Sequence, residues 1–383
     1  MTSTPGLGSK PRPRTGTRRH AVFHPLRVAA VERETDDAVA VTFDVPPELA
    51  FEYAYLPGQH VTVKTPEAGD ELRRNYSICS AWDSPDPPPP RRIRIGVKRV
   101  RGGGFSSYAI ERMRPGDVVD VMTPTGRFFV RPDPSRARDL CFVAAGSGIT
   151  PILSMCASVL AVEQQSTVRL LYGNRTTSSI MFLEELADLK DRHPDRFQLV
   201  HVLSRERPEI ELFAGRIDGE KLRAFLDTLI PAEAIDGWYL CGPMPMMQEL
   251  RQVLAGRGVP RTSVHTELYH VTGMAASTPA AAVRSSAASG PVCEVTATLG
   301  GRTVTFPHPY DGPPVLEGVL AVRRDAPFAC RGGVCGTCRA KVREGSVRMD
   351  QCYALEPDEV AQGYVLTCQA HPTSERLVVD YDT

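Results

Sequence analysis

Alternating apolar and polar positions dominate the first third of the chain. Five short runs have the two-residue period of strands that are buried on one face. They read RVAAVERE, AVAVTFDV, HVTVKT, YSICSAW and RIRIGVKRV, between residues 27 and 100. The segment PDPPPP at 85–90 is expected to form a loop, because proline lacks the amide hydrogen that a strand donates. Short strands at this spacing predict a closed or nearly closed antiparallel β-barrel over residues 21–133.

The hydrophobic pattern changes after this segment to apolar runs that alternate with stretches of helical period. The apolar runs are LCFVAA, TVRLLYG, FQLVHVLS and GWYLCG, and each is followed by a helical stretch. Strands that alternate with helices predict βαβ units and a parallel sheet. We assign residues 136–273 to this α/β domain.

Two segments lack any periodic apolar face. Residues 274–291, MAASTPAAAVRSSAASGP, are almost uncharged and rich in small residues, which predicts a flexible linker. Residues 1–20 carry five basic residues, three prolines and no acidic residue, which predicts a disordered basic tail. Residues 292–383 remain as a third domain that is long enough for its own core.

Composition narrows the class of protein. The 383 residues include 45 Lys and Arg against 45 Asp and Glu, so no net field favours nucleic acid or a membrane surface. No apolar run approaches the roughly 18 residues that a membrane span needs. We therefore expect a soluble, cytoplasmic protein of two or three domains, with neither nucleic acid nor membrane as a partner.

Four of the ten cysteines follow a pattern that indicates a metal centre. Cys330, Cys335 and Cys338 lie within ACRGGVCGTC, and Cys368 follows in YVLTCQAHP. This is the plant-type spacing for a [2Fe–2S] cluster, and the glycines between the cysteines allow the tight loop that it needs. Structural zinc is the competing interpretation, but zinc sites favour two Cys-x2-Cys pairs and only one occurs here. The other six cysteines, Cys352 among them, are expected to be structural.

A glycine turn in the α/β domain indicates a nucleotide site. In FVAAGSGITP, Gly146 and Gly148 would let backbone amides approach a pyrophosphate, and Thr150 followed by Pro151 is a favourable helix entry. Pro151 stands where the last glycine of a G-x-G-x-x-G motif would be. An ordinary tight β–α turn is therefore the alternative interpretation.

Two later strand ends of this domain add candidate nucleotide contacts. After the strand that ends in YGNR, Asn174, Arg175 and Ser179 occupy the region where an NAD-specific fold often has an acidic residue on the ribose. Arginine and serine suit a 2′-phosphate instead, which favours NADPH over NADH. The strand that ends in CGP places three residues at the carboxyl edge of the sheet, where ligands bind: Cys241, Gly242 and Pro243.

The barrel contains a candidate flavin strand, RRNYSIC. Hydride from a nicotinamide carries two electrons whereas the cluster accepts one, and a flavin connects the two. We expect Arg74 to bind a phosphate, Tyr76 to lie against the isoalloxazine ring and Ser77 to hydrogen-bond near its reactive nitrogen; a plain strand is the alternative. The glycine run after GVKRV opens a helix and provides a second anion site. Its candidate residues are Val97, Lys98, Gly103, Gly104, Phe105, Ser106 and Ser107.

Together, RNYS, GSGITP, YGNR and CGP resemble the ferredoxin–NADP reductase superfamily over residues 21–271, and the cysteine segment resembles plant-type ferredoxins. The resemblance implies an α+β β-grasp fold for the third domain. It implies FAD, a [2Fe–2S] cluster and NADPH as cofactors, with NADH as the alternative nucleotide. It also implies that HTELYH brings Glu267 and Tyr269 to the flavin. The residues expected at the reacting atoms are Tyr76, Ser77, Cys241 and Glu267.

FHPLRVAAV, YGNRTTSSIMF and HTELYHV resemble more specifically the reductase subunits of phenylacetyl-CoA epoxidases. That resemblance implies electron transfer from NADPH through FAD and the cluster to a multi-subunit diiron epoxidase. Three alternatives stay open at this point. The acceptor is a ring-hydroxylating oxygenase, a steroid hydroxylase or an acyl desaturase; the flavin is FMN; or the protein is a redox sensor that uses the cluster as a switch.

Overall fold

A computed structural model describes residues 22–67, 70–84, 86–100, 102–268 and 291–383, and the first of its domains is an antiparallel β-barrel. Six strands pair in the order β4-β3-β6-β1-β2-β5. They are β1 (Phe23–Thr35), β2 (Ala38–Asp44), β3 (His60–Glu67), β4 (Asp70–Ser77), β5 (Arg92–Lys98) and β6 (Val118–Met122). A bridge between Ile78 and Ile95 joins the two edge strands, so the sheet nearly closes on itself. Helix α1 (Gly104–Glu111) follows β5.

Strand β4 differs from the prediction, which placed it at YSICSAW and so too late in the chain. The amides of Ile78 and Cys79 still donate to the carbonyls of Gln59 and Arg94, but from Ser80 onward serines of the next domain take the backbone hydrogen bonds. The hydroxyl of Ser154 donates to the carbonyl of Ser80, and the amide of Trp82 donates to Ser158 Oγ at 2.8 Å. A long-range contact therefore ends this strand, and the period of the sequence does not report it.

The second domain has a five-stranded parallel sheet, as predicted. Its strands run in the order β11-β10-β7-β8-β9. They are β7 (Asp139–Ala145), β8 (Thr167–Asn174), β9 (Phe197–Leu203), β10 (Gly237–Gly242) and β11 (Val264–Leu268). The helices between them are α2 (Ile149–Val162), α3 (Leu183–Arg192), α4 (Gly219–Thr228) and α5 (Met244–Gly256).

The barrel and the parallel-sheet domain pack against each other as one unit. Ala40 and Phe128 of the barrel belong to the same buried cluster as Phe142 of the parallel sheet. At Gly96 of β5, an added Cβ would lie 2.5 Å from the Thr150 side chain, so only glycine allows the two domains to approach this closely. A continuous apolar core therefore fixes the position of the two domains relative to each other.

The third domain is a mixed five-stranded sheet in the order β13-β12-β18-β14-β16, with a separate pair β15-β17. Its strands are β12 (Val292–Leu299), β13 (Arg302–Pro309), β14 (Arg339–Glu344), β15 (Val347–Met349), β16 (Tyr364–Leu366), β17 (Ala370–Pro372) and β18 (Arg376–Asp380). Its helices are α6 (Val315–Val322), which packs into the core of the domain, and the short α7 (Pro357–Ala361). Across all the described ranges, no helix combines the length and the apolar character needed to cross a membrane.

The cysteines outside the cluster pattern are mostly core residues, as expected. Cys79, Cys141, Cys156, Cys241 and Cys293 are buried. Cys352 is exposed, and the structural role expected for it is wrong. It lies between β15 and α7, in a surface turn that the amide of Leu355 closes by donating to the Cys352 carbonyl.

Candidate electron-transfer site

The four candidate ligand cysteines meet as two pairs. Side-chain hydrogen bonds join Cys330 to Cys335 and Cys338 to Cys368. A [2Fe–2S] cluster takes four thiolates shared between two irons, whereas structural zinc takes four ligands around one ion. The two-pair arrangement therefore fits the two-iron cluster better than zinc.

The loop that carries these cysteines stabilises negative charge on sulfur. The hydrogen bond from Cys335 and the backbone amides of Gly332, Val334 and Cys335 lower the pKa of Cys330 to about 6, although burial opposes this shift. The amide of Gly332 lies 3.3 Å from Cys330 Sγ. Gly333 adopts a φ of +73°, and an added Cβ would lie 3.2 Å from the Gln351 carbonyl oxygen. The loop thus directs amides at the position of a thiolate, as a cluster requires.

The glycine turn of the parallel-sheet domain packs directly on the strand that ends in CGP. At Gly148 an added Cβ would lie 2.3 Å from the carbonyl oxygen of Cys241, whereas Gly146 adopts a φ of +54° and faces open space. Cys241 is buried, and burial together with the charge of Glu267 raises the pKa of its thiol well above the usual value. The Cys241 side chain is therefore a neutral thiol at physiological pH.

The neighbouring residues of these two segments hold the turn and the strand end together. The Thr150 hydroxyl donates to the Ser147 carbonyl at 3.1 Å, so it closes the turn ahead of Pro151. Gly242 allows Met246 to pack on the strand end, because an added Cβ would lie 2.4 Å from Met246 Cε. Pro243 then precedes the first residue of α5. These residues shape the site mainly through backbone geometry.

Two polar side chains lie at the end of β8, those of Asn174 and Arg175. The side chain of Asn174 is buried beside the Tyr172 hydroxyl. Arg175 is exposed, and its guanidinium forms no ion pair in the part of the chain that the structure describes. An exposed arginine without an ion pair, next to a buried amide, fits a polar, negatively charged ligand such as a nucleotide phosphate.

Two residues near this strand end differ from the sequence-based expectation. The Ser179 hydroxyl donates to the carbonyl of Thr176 at 2.7 Å and accepts from its amide at 3.1 Å, so its proton serves its own turn. Glu206, which the sequence did not single out, accepts from both the amide and the hydroxyl of Thr177 at 2.7 Å. A carboxylate therefore lies beside the turn that starts at Arg175.

Strand β4 and helix α1 bring the candidate flavin residues together. The Tyr76 ring is buried and lies 5.2 Å from the Phe105 ring in the first turn of α1. Arg74 is half-buried, and its guanidinium donates to the carbonyl of Arg73 at 2.8 Å. The Tyr76 ring thus lies beside the start of α1, and Arg74 lies two positions earlier on the same strand, a combination that suits a ring system linked to phosphates.

The start of α1 is shaped by close packing. An added Cβ at Gly103 would lie 2.7 Å from Ser106 Oγ. The Ser106 hydroxyl accepts from the amide of Val100 at 3.1 Å, so it holds the loop instead of facing a ligand. Ser107 is the first residue of this turn whose amide is paired, with the Gly103 carbonyl at 3.1 Å. The amides of Gly104, Phe105 and Ser106 are therefore the groups that remain for an anion.

Val97 and Lys98, the last two residues of β5, have different surroundings. Val97 is fully buried in the barrel core. Lys98 pairs with Asp37 at 3.4 Å and donates to the carbonyl of Ser179 at 3.4 Å. Lys98 thus links the two domains next to the candidate nucleotide site.

At the junction of the barrel and the parallel sheet, a carboxylate meets a hydroxyl and an imidazole. Glu267 lies directly opposite Cys241 in the β10–β11 pairing. Ser77 donates to Glu267 Oε2 at 3.3 Å, and His60 Nδ1 lies 3.7 Å from Glu267 Oε1. His60 is 4% exposed, and its only signal in the sequence is a polar residue at a strand start. Tyr269 lies outside the described residues.

The third domain contacts the barrel next to the cluster loop. Arg73 is buried, and its guanidinium stacks between the rings of Phe23 at 5.0 Å and Phe328 at 3.9 Å. It also donates to the carbonyl of Ala326 at 3.1 Å. Because Phe328 precedes Cys330 by two residues, this contact positions the cluster loop against strand β4.

Carboxylates around α7 meet arginines of both other domains. Glu359 is nearly buried and binds Arg127 of the barrel, which also donates to the Ala354 carbonyl at 3.2 Å. Glu356 forms ion pairs with Arg251 and Arg261 of the nucleotide domain. The third domain is thus held through charge complementarity at its α7 end.

Replacing Arg127 with alanine is expected to weaken this contact and slow electron entry into the cluster roughly fivefold, since a partly exposed ion pair contributes about 1 kcal/mol. Stopped-flow absorbance of cluster reduction measures the effect. Arg92→Ala, which removes an exposed ion pair to Asp44 within the barrel, is the matched control and should leave the rate unchanged. Equal rates for the Arg127 variant and the wild-type protein at low salt would contradict the docking role.

Three family models match the chain in the order of the three domains. The oxidoreductase FAD-binding domain matches residues 25–130, the oxidoreductase NAD-binding domain matches residues 142–252, and the 2Fe-2S iron-sulfur cluster binding domain matches residues 297–373. These matches support FAD, NAD(P)H and a [2Fe–2S] cluster as cofactors, and the residues described above fit each of them.

Known proteins share this architecture over nearly their full length. A subunit of the 1,2-phenylacetyl-CoA epoxidase of Escherichia coli (strain K12) is 42% identical over 94% of this chain and 98% of its own length. The 3-ketosteroid-9-alpha-monooxygenase, ferredoxin reductase component, of Mycobacterium tuberculosis (strain CDC 1551 / Oshkosh) is 35% identical over 93% and 95%. The solved structure of phthalate dioxygenase reductase is 25% identical, covers 94% of this chain and 98% of that chain, and superposes with a TM-score of 0.54.

The sequence matches and the arrangement of the three domains indicate the same chemistry. FAD supplies two-electron uptake with one-electron release, and the chain places its flavin, nucleotide and cysteine segments around one junction. The chain is an NAD(P)H-dependent oxidoreductase, and it belongs to the family of FAD- and [2Fe–2S]-containing reductase components of oxygenases to which the matching subunit of 1,2-phenylacetyl-CoA epoxidase also belongs.

Proposed function

We propose that this protein is the cytoplasmic reductase component that passes electrons from NADPH to a multi-subunit diiron epoxidase acting on phenylacetyl-CoA. The observation that carries this proposal is the 42% identity to the E. coli epoxidase subunit over almost the whole of both chains. The relatives from 3-ketosteroid monooxygenases are less similar, at 35% identity or lower, over the same length. The similarity extends over the third domain, which in this proposal delivers the electrons to the acceptor.

Reconstitution with purified acceptors tests the proposal. The protein, NADPH and a phenylacetyl-CoA epoxidase complex should yield epoxide at a rate that saturates with reductase concentration. A 3-ketosteroid-9α-monooxygenase in place of the epoxidase should be at least tenfold slower. A faster reaction with the steroid enzyme would assign the protein to that acceptor instead.

The residue roles in this proposal follow the geometry. Arg74 and the amides at the start of α1 bind the flavin phosphates, and Tyr76 packs beside the isoalloxazine ring. Ser77 and Glu267 hold a polar contact where the flavin and nicotinamide meet, and the neutral Cys241 thiol lines the same place. The proposed cluster ligands are Cys330, Cys335, Cys338 and Cys368. Gly146 and Gly148 provide the turn on which the pyrophosphate lies.

The preference for NADPH is proposed from Arg175, which has no ion pair in the described ranges and lies at the end of β8. Arg175→Ala should raise the KM for NADPH about 10-fold or more, because a charge-assisted hydrogen bond contributes about 1.5–3 kcal/mol, and should change the KM for NADH less than twofold. Steady-state kinetics with both nucleotides measure this difference.

A variant that is expected to lower the KM for NADPH, instead of raising it, serves as the control. Glu206→Gln removes a negative charge beside the same turn, so it should lower the KM for NADPH and leave that for NADH nearly unchanged. If Arg175→Ala affects both nucleotides equally, the 2′-phosphate does not bind at this strand end, and the assignment of NADPH loses its support.

A further inference from the structure

Strand β4 presents different residues to its two sides. Tyr76 packs with Phe105 in the barrel core. Arg73 and Asn75, at alternate positions, contact the third domain instead, through Phe328 and Thr337. The same strand therefore faces the flavin site on one side and the cluster loop on the other.

Asn75 is the centre of a hydrogen-bonded chain across this strand. Its Oδ1 accepts from the Thr62 hydroxyl at 2.7 Å. Its Nδ2 lies 3.0 Å from His60 Nε2 and 3.0 Å from the Thr337 hydroxyl oxygen. All polar atoms of the Asn75 amide are therefore engaged, and one partner belongs to the other domain.

The contacts of His60 define its tautomer. Two groups able to donate, Asn75 Nδ2 and the Thr125 hydroxyl, lie 3.0 and 3.3 Å from His60 Nε2. The carboxylate of Glu267 lies 3.7 Å from Nδ1. Nε2 is thus the acceptor and Nδ1 carries the proton. The Asn75 Nδ2 group therefore donates one hydrogen to the imidazole and the other to the Thr337 hydroxyl oxygen.

Thr337 connects this chain to the cluster loop, because it lies between Cys335 and Cys338. Its side chain lies beside the Cys335 side chain. Since the Thr337 oxygen accepts from Asn75, its own proton remains available to Cys335 Sγ. Hydrogen bonds to cluster sulfurs favour the reduced, more negative state of an iron–sulfur centre.

We propose that Asn75 is a positioning residue for electron entry: it holds the Thr337 hydroxyl on Cys335, so that the cluster is reduced more easily while its domain lies against the barrel. Asn75 and Thr337 belong to different domains, so their contact exists only in the docked arrangement. The hydrogen bond is lost when the third domain leaves the barrel, and the cluster then becomes the better electron donor. The inference rests on the proposed ligand role of Cys335 and is independent of the identity of the acceptor.

A redox titration of the full-length holoprotein, followed by EPR of the reduced cluster, tests this role. At the potential where half of the wild-type cluster is reduced, Asn75→Leu should lower the ratio of reduced to oxidised cluster roughly three- to tenfold. A tenfold change corresponds to about 59 mV for a one-electron couple. Thr337→Val should produce the same shift, and Thr337→Ser, which keeps the hydroxyl, should retain the wild-type value.

The double variant distinguishes positioning from a general loosening of the domain contact. If Asn75 acts through Thr337, combining Asn75→Leu with Thr337→Val gives no further shift beyond either single change. Arg251→Ala leaves Glu356 paired with Arg261, so the third domain stays docked and the potential should remain near the wild-type value. An unchanged potential in Asn75→Leu, or additive shifts in the double variant, would overturn the proposal.

The two proposals fail separately. The titration contains no oxygenase, so an acceptor other than the epoxidase leaves its result intact. If the Asn75 variant does not retain its cluster, the comparison of Thr337→Val with Thr337→Ser still decides whether the hydroxyl tunes the cluster. Equal potentials for those two variants would also overturn the proposal.

Discussion

Replacing Cys335 with serine is expected to reduce electron delivery to one-electron acceptors by about 100-fold or more, while reduction of the flavin by NADPH changes less than about twofold. Cys335 is one of the two paired cysteines in the tight loop, and its side chain lies beside that of Thr337. Its loss removes a thiolate from a centre that needs four. The flavin and nucleotide segments lie in the other two domains and keep their own packing.

The measurement separates the two steps in one protein. Stopped-flow absorbance follows flavin reduction by NADPH, and reduction of cytochrome c follows delivery through the cluster. Cys352→Ser is the matched control, because Cys352 is exposed and lies outside the ligand pattern, and it should behave as the wild-type protein in both assays. Unchanged cytochrome c reduction in Cys335→Ser would show that electrons leave the flavin without passing through the cluster.

Replacing Gly148 with alanine is expected to slow reduction of the flavin by NADPH about 100-fold. The added Cβ would lie 2.3 Å from the Cys241 carbonyl oxygen, so the backbone of the turn or of the strand end must move. A displacement of about 1 Å at a reacting site can cost about 100-fold in rate. Overpacking of this kind also destabilises a fold by about 1–3 kcal/mol.

Two readouts check this prediction. The rate of flavin reduction gives the functional effect, and the midpoint of thermal unfolding gives the cost to stability. Gly256→Ala is the control, since no atom lies within 4 Å of the position of its Cβ and alanine is a better helix former than glycine. A wild-type rate in Gly148→Ala would mean that the glycine turn does not position the nucleotide.

Local patterns in the sequence predicted the elements that depend on local chemistry. The apolar run GWYLCG coincides with β10, and the alternation of strands and helices predicted the parallel sheet. The spacing of Cys330, Cys335 and Cys338 matches that of plant-type clusters and so predicted a two-iron centre. The glycines between them permit the backbone angles by which a short loop brings those sulfurs together. These features require only neighbouring residues.

Features that depend on contacts between distant segments escaped prediction. The predicted strand YSICSAW does not continue to its end because serines of α2 bond the backbone of Ser80 and Trp82. The sequence also did not predict that the Ser106 and Ser179 hydroxyls each bond the backbone of their own turn, and their contact with a ligand stays a prediction. His60 and Asn75 carry no motif, and they gain importance only because the third domain docks beside them.

Anaerobic titration of the purified holoprotein with NADPH, with flavin and iron–sulfur absorbance recorded separately, tests the central claim most directly. The claim is that paired electrons enter at the flavin and leave singly through the iron held by the four cysteines. The predicted result is bleaching of both chromophores, with the cluster reduced only after electrons have reached the flavin. A cluster that stays oxidised while the flavin is fully reduced, or a protein with neither chromophore, would contradict it.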